Sequence, residues 1–269
     1  MPITLGFHDV AETTLLTPED TPGHTTVYTL DQDRFTACLT EIQARLHSRP
    51  LELVNEANAN SERSVFLTVD DGRLSSYTII APALEQLGWR GHFFVTTDWM
   101  GLPGFLTAQQ IRELDARGHV IGSHSCSHPK GMWTLSADVL SREWSESRAR
   151  LADTVGHEVG VAAVPAGHYS QRVAEVVAAC GYRFLFTSEP TTRTSLIGGC
   201  HVLGRYTVRR YTDVSAVGSI AAGDRWDRWK QAAAWTATKT AKRTAGKWYL
   251  PLRNAVLDAL TPSNSTARH

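Results

Sequence analysis

The sequence predicts an α/β fold, a (β/α)7-type barrel of parallel strands, followed by a basic and aromatic helical extension. Three observations carry this. Short, apolar, β-branched runs alternate with helix-period segments between residues 64 and 188. The helical segments end on glycine (Gly88, Gly118, Gly156, Gly181) just before the next apolar run, the punctuation of right-handed strand–helix–strand crossovers. About seven such units are present, enough for the sheet to curl and close. An open doubly wound sheet is the alternative architecture.

Taken in order, "ITLGFHDV" opens the chain as a strand, and "VYTL" (27–30) leads into a helix with Phe35, Leu39, Ile42 and Leu46 on one face. Residues 47–64 are polar and predict a loop. "SVFLTV" (64–69) is a buried strand. "YTIIAPALEQLG" (77–88) has helical spacing, with Pro82 required early in the helix or at a kink. "GHFFVTT" (91–97) is the next strand. "TAQQIRELDARG" (107–118) carries a capping box of Thr107 and Gln110. "HVIGSHS" (119–125) is a strand, and residues 136–156 a helix capped by Ser136. "VGVAAV" (159–164), "SQRVAEVVAACG" (170–181) and "YRFLFTS" (182–188) read as strand, helix and strand. "VLGRYTV" is strand-like, with His201 ahead of it. The predicted division is a barrel domain over 1–222, a helical extension over 223–260 and a disordered tail over 261–269.

The chain has 269 residues, 42% hydrophobic and 20% charged, with zero formal net charge. That balance supports a large core and gives no sign of nucleic-acid binding. Four scattered cysteines without a CxxC pair fit a reducing compartment. The N-terminus has no basic, apolar leader pattern, and no run of 18 apolar residues exists, so the expected location is cytoplasmic. Residues 224–258 hold eight basic residues against three acidic, mixed with four tryptophans and Tyr249. Such a stretch is either a helix packed on the barrel with a solvated basic face or a peripheral contact with the inner face of an anionic membrane.

In parallel β/α folds the functional groups collect at the carboxyl ends of the strands. Asp70 and Asp71 follow "VFLTV", His124 and His128 lie at and beyond the end of "HVIGSHS", His8 ends "ITLGF", and Pro165 and Gly167 follow "VGVAAV". Alone, "DDG" reads as a turn and "HxxxH" as ordinary histidines. Together at one mouth, two imidazoles and a carboxylate suit a divalent metal, and a second carboxylate can take the proton of a water.

"LTVDDG" and "HSCSH" resemble the T-F-D-D-G and H-[ST]-x-x-H motifs of the polysaccharide deacetylases, carbohydrate esterase family 4 or the NodB homology domain, over roughly residues 64–190. The resemblance implies a distorted barrel, usually counted as seven-stranded. It implies Asp70 as catalytic base, and Asp71, His124 and His128 as ligands of one divalent ion, zinc first, with cobalt, nickel, iron or manganese as alternatives. The third motif is degraded: "AVPAG" keeps Pro165 and Gly167 but puts Ala163 where the family has its base-orienting arginine. Arg205 is a candidate substitute, or else an ordinary strand-edge arginine. A backbone N–H near Ala166 and Gly167 remains as oxyanion donor, with Tyr169 or His168 available for the vacated aromatic position. The family's C-terminal acid-bearing strand is absent. Instead "ITLGFHDV" is similar to the start of circularly permuted members, which implies His8 as general acid, with Asp9 orienting it or touching substrate.

The implied activity is metal-dependent hydrolysis of the N-acetyl group from an amino sugar in a glycan, oligosaccharide or glycolipid. Two alternatives are a deformylase or other amide hydrolase of the same fold, and a glycan-binding protein that has lost catalysis.

Overall fold

A computed structural model describes residues 1–11, 27–47, 51–62, 64–129, 131–167 and 169–245. In chain order these form β1 (Ile3–Phe7), β2 (Asp9–Ala11), β3 (Thr29–Asp31), α1 (Gln32–Leu46), β4 (Val65–Val69), α2 (Ala81–Gln86), β5 (His92–Val95), α3 (Ala108–Ala116), β6 (Val120–Ser123) and α4 (Ala137–Val155). There follow β7 (Val161–Ala163), α5 (Gln171–Ala179), β8 (Phe184–Phe186), β9 (Ser195–Ile197), β10 (Cys200–Leu203), β11 (Tyr206–Thr207), α6 (Val214–Ala221) and α7 (Arg225–Ala245).

The main sheet runs β11-β1-β4-β5-β6-β7-β8-β10-β9, and every pairing is parallel except β10 with β9. Its curl is completed by one strand that changes partner. β10 pairs with β8, β11 pairs with β1, and only Gly204 and Arg205 separate the two. Counted as one, β10 and β11 make the seventh strand of a distorted barrel, closed by the chain itself. The continuous strand expected over "VLGRYTV" is therefore broken, and His201, expected ahead of it, lies inside β10. The break needs glycine: a Cβ on Gly204 would stand 2.5 Å from the Glu189 carbonyl oxygen.

Side-chain alternation divides the apolar residues into two cores. Phe66, Phe94, Val161, Ala163, Phe184, Phe186 and Leu203 fill the barrel interior, while Val65, Leu67, Val69, Phe93 and Leu185 pack outward under the helices. Phe94 crosses the interior only because residue 122 is glycine; a Cβ there would stand 2.6 Å from its ring. The segment expected as a polar loop does more: Val54 and Ala59 enter the interior core and close the floor. Its polar residues satisfy its own turns, Asn58 donating to Glu52 and to the Leu53 carbonyl. The Val54 N–H donates to His92 Nε2 (2.9 Å), pinning this floor to β5.

The predicted helices form, and α6 adds one that the sequence reading did not name. Thr107 and Gln110 make the capping box of α3, and Ser136 caps α4. Pro82 lies in the first turn of α2, and Ser76–Ile80 ahead of it is a π-helical turn, the widening expected where proline withholds an N–H from the ladder. α7 starts beside the predicted boundary at 222/223 and is anchored by Gln231, which donates to the Thr207 carbonyl (2.7 Å). Trp226 and Trp229 stack on each other on its exposed side. Residues 246–269, with the rest of the basic stretch and the predicted tail, lie outside the described residues. No helix among the described residues is long and apolar enough to cross a membrane.

Candidate active site

The inward positions at the carboxyl ends of four strands bring His8, Asp70, His124 and Arg205 together. Arg205 is 2% exposed. Its two terminal nitrogens donate to the two Asp70 oxygens at 2.5 and 2.8 Å, one of them also to Thr68 Oγ1 (3.2 Å), and its Nε to the Thr187 carbonyl (2.9 Å). It is thus not a strand-edge arginine: the partner change between β10 and β11 aims it across the barrel. Ala163, at the position of the family's arginine, offers its carbonyl to His124 instead. Burial pushes the Asp70 carboxyl up, but the Arg205 guanidinium, with His124 and His8, outweighs it and holds Asp70 well below the usual carboxylate range.

Asp71 sits at φ 75° and Gly72 at φ 74°, two left-handed residues in succession that turn the second carboxylate back into the mouth. Asp71 Oδ1 stands 3.5 Å from Nε2 of both His124 and His128. That oxygen is buried and has no hydrogen-bond partner among the described residues. His124 Nδ1 lies 2.9 Å from the Ala163 carbonyl, so it carries the hydrogen and leaves the Nε2 lone pair aimed at Asp71. Burial lowers His124 to about 3 and raises Asp71 to about 6. His128 (φ 55°) stacks on Trp99, ring centroids 5.1 Å apart. The donor atoms of the three residues lie within 4.8 Å of one another. One orphaned carboxylate oxygen between two imidazole nitrogens, too far apart to share a hydrogen bond, fits a divalent cation and leaves room for oxygen ligands from water or substrate.

The loop carrying the two histidines is held from α4. Glu143 accepts from the backbone N–H of Cys126 and Ser127 (3.0 Å each) and from Ser127 Oγ (2.7 Å). Sequence reading missed Glu143, since a glutamate on an amphipathic helix gives no sign that its partners are main-chain groups 16 and 17 residues back. The glycine-free turn 124–128 alone hinted that something must fasten it.

His8 Nε2 is 3.7 Å from Asp70 Oδ2, and the ring stacks on Tyr28 at 4.5 Å. Its Nδ1 is buried, with no partner among the described residues. Asp9 does not orient it: Asp9 Oδ1 accepts from Ser75 Oγ (2.6 Å). Pro165–Gly167 is a short 3-10 turn, with Ala166 at φ 54°, ψ 11°. Tyr169 does not join the cluster. It packs on the outer core, hydrogen-bonds Ser195, and lines a separate cavity. His168 lies outside the described residues.

Residues 57–185 match the polysaccharide deacetylase family. The chain is 31% identical over 144 residues to an uncharacterised 30.6 kDa protein of Geobacillus stearothermophilus, covering 51% of this chain and 52% of that one. It is 28% identical over 129 residues to the peptidoglycan-N-acetylmuramic acid deacetylase PdaA of Bacillus subtilis, 47% of each chain. It therefore spans about half the length of these relatives. The Streptococcus pyogenes deacetylase PplD, solved with acetate, superposes with a TM-score of 0.62 at 20% identity, over 79% of this chain and 94% of that one; this likeness shows the shared fold.

Proposed function

We propose that this chain, which belongs to the polysaccharide deacetylase family through residues 57–185, is a metal-dependent hydrolase that removes the N-acetyl group of an amino sugar in a glycan, oligosaccharide or glycolipid and releases acetate. One observation carries the reading: a clamped, ionised Asp70 lies between His8 and the Asp71–His124–His128 cluster. Asp71, His124 and His128 would hold the ion, zinc by the donor set, which when bound supplies Lewis acidity toward a carbonyl and acidifies water.

The remaining steps belong to the chain. Asp70 takes a proton from the attacking water, and Arg205 keeps it ionised and fixes both of its oxygens. The backbone N–H of the turn at Ala166 and Gly167 stabilises the charge that develops on the acetyl oxygen, a contribution independent of the side chain there. His8 gives a proton to the departing sugar nitrogen, because an amine is a poor leaving group unless protonated as it departs. With His8 as the acid at the end of the first strand, the reading groups this chain with the circularly permuted members.

Arg205 also bears on the non-catalytic alternative. The missing arginine in "AVPAG" favours that alternative somewhat, and Arg205 occupies the contact with Asp70 from another part of the barrel. Metal analysis with product identification on a panel of N-acetylated hexosamines and their oligomers tests the reading. Acetate release with stoichiometric metal is the expected result. Formate from an N-formyl substrate points to the deformylase, and metal binding with no turnover to a binding protein. Co-sedimentation with anionic vesicles tests the membrane contact through 224–258.

A further inference from the structure

A cavity opens on the rim of the barrel that also carries the Asp70 cluster. It measures about 560 Å³ and lies at the carboxyl ends of β8 and β10, walled on one side by α7. Only backbone divides it from the clamp on Asp70. Thr187 and Glu189 both line it, and their carbonyls accept from Arg205 Nε and Arg205 N, each at 2.9 Å. Its size is that of a small-molecule site.

The lining is amphipathic in a particular way. Trp235 of α7 contributes an indole, and Glu189, Arg193, Thr191 and Ser195 contribute planar or hydroxylic polar groups around it. A pyranose ring presents the complementary surface: an apolar C–H face for an aromatic plane and a ring of hydroxyls for polar side chains. The wall is held in place, since Gln231 and Arg228 tie α7 to the Thr207 carbonyl and to Thr192 Oγ1. Both α7 and the 189–195 segment lie outside the residues matched by the family, where substrate selectivity varies between proteins of one fold.

We propose that this cavity is a glycan subsite, taking the sugar residue next to the one whose N-acetyl group reaches Asp70, with the Trp235 indole against its apolar face. The assignment of this site rests on the N-deacetylase reading above.

Calorimetric titration of the full chain carrying Asp70→Asn, which binds without turnover, tests it with mono- to tetrasaccharides of N-acetylhexosamine and a mannose oligomer of matched length. Affinity is expected to rise between the mono- and the disaccharide. In the background of Asp70→Asn, Trp235→Ala is expected to remove about five- to tenfold of that increment, the worth of one aromatic contact, and Trp235→Phe to keep the larger share. Glu189→Gln, a near-isosteric change elsewhere in the lining, is expected to reduce the increment by a smaller factor. Affinity independent of chain length, or a length increment that survives Trp235→Ala and Glu189→Gln alike, overturns the subsite while acetate release by the parent enzyme leaves the deacetylase reading standing. Absence of acetate release together with absence of sugar binding at every length overturns both.

Discussion

His92 and His124 face the same barrel interior from strands β5 and β6, one at the floor and one at the mouth, and both are fully buried. At the floor both ring nitrogens are satisfied by backbone: Nδ1 donates to the Leu67 carbonyl (3.0 Å) and Nε2 accepts from Val54 N–H (2.9 Å). At the mouth His124 has the same donor arrangement on Nδ1, but Nε2 faces carboxylates at 3.5 and 3.8 Å and has no hydrogen-bond partner among the described residues. Burial depresses both, to about 4 and about 3, so a shifted pKa does not separate them. What separates them is the second nitrogen. A histidine closed on both sides is part of the packing; one left open toward an orphaned carboxylate is built to receive something. The floor is solved by the polypeptide alone, and the mouth is left unsolved for a ligand.

The largest expected effect tests the mouth. Asp70→Asn keeps the shape and at most one of the two Arg205 hydrogen bonds but removes the proposed base, and should lower kcat by about 10²- to 10⁴-fold while atomic emission still finds the metal; loss of metal instead would put Asp70 among the ligands. Next is Arg205→Ala, which strips the partner from a buried carboxylate and should cost about 3–5 kcal/mol of stability. In the same variant the acid limb of the pH–rate profile should move to higher pH, because the charge that holds Asp70 down has gone; an unmoved limb would separate Arg205 from the base. Smaller is Glu143→Ala, which leaves every ligand in place and unfastens their loop. Metal affinity, read by competition with a chromogenic chelator, should weaken about 10- to 100-fold, the usual cost of losing an outer support.

The mildest prediction concerns the floor. His92 titrates near 4 folded against 6.5 unfolded, so its contribution is complete above pH 6.5 and is lost as pH falls through that window, roughly 3 kcal/mol in all. His92→Gln retains a donor and an acceptor without a titrating proton. It should flatten the fall in urea-melt stability between pH 7 and pH 4.5 relative to the parent; an identical slope would return the acid lability to the mouth.

Much of this was legible because it is local. "VDDG" and "HSCSH" each put their reacting groups at a single strand end, and the alternation that sends Asp70 inward follows from Phe66 and Thr68 before it. The parallel topology followed from strand–helix–glycine repeats. The illegible part is relational. Arg205 was visible as a candidate, yet its role depends on a partner 135 residues away and on a strand that changes neighbours at a glycine. Glu143 and Thr187 act on or through main-chain groups, which leave no residue-type signature. Tyr169 is also relational: nearness in sequence to Ala166 suggested the mouth, whereas the residue stands apart from the Asp70 cluster and lines the neighbouring cavity.

The strand that changes neighbours also sets when the site comes into being. Six of the seven staves of the barrel, the Asp71–His124–His128 cluster and Asp70 itself are all encoded before residue 190, but the Arg205 guanidinium that holds Asp70 as a stable anion arrives on the seventh stave. A chain folding as it is synthesised would hold Asp70 unpartnered until β10 and β11 dock, so the event that seals the ring is also the event that arms it. Under the proposed mechanism, catalytic competence is thereby a late reporter of complete assembly, and a chain stopped short of residue 205 is expected to lack a working site.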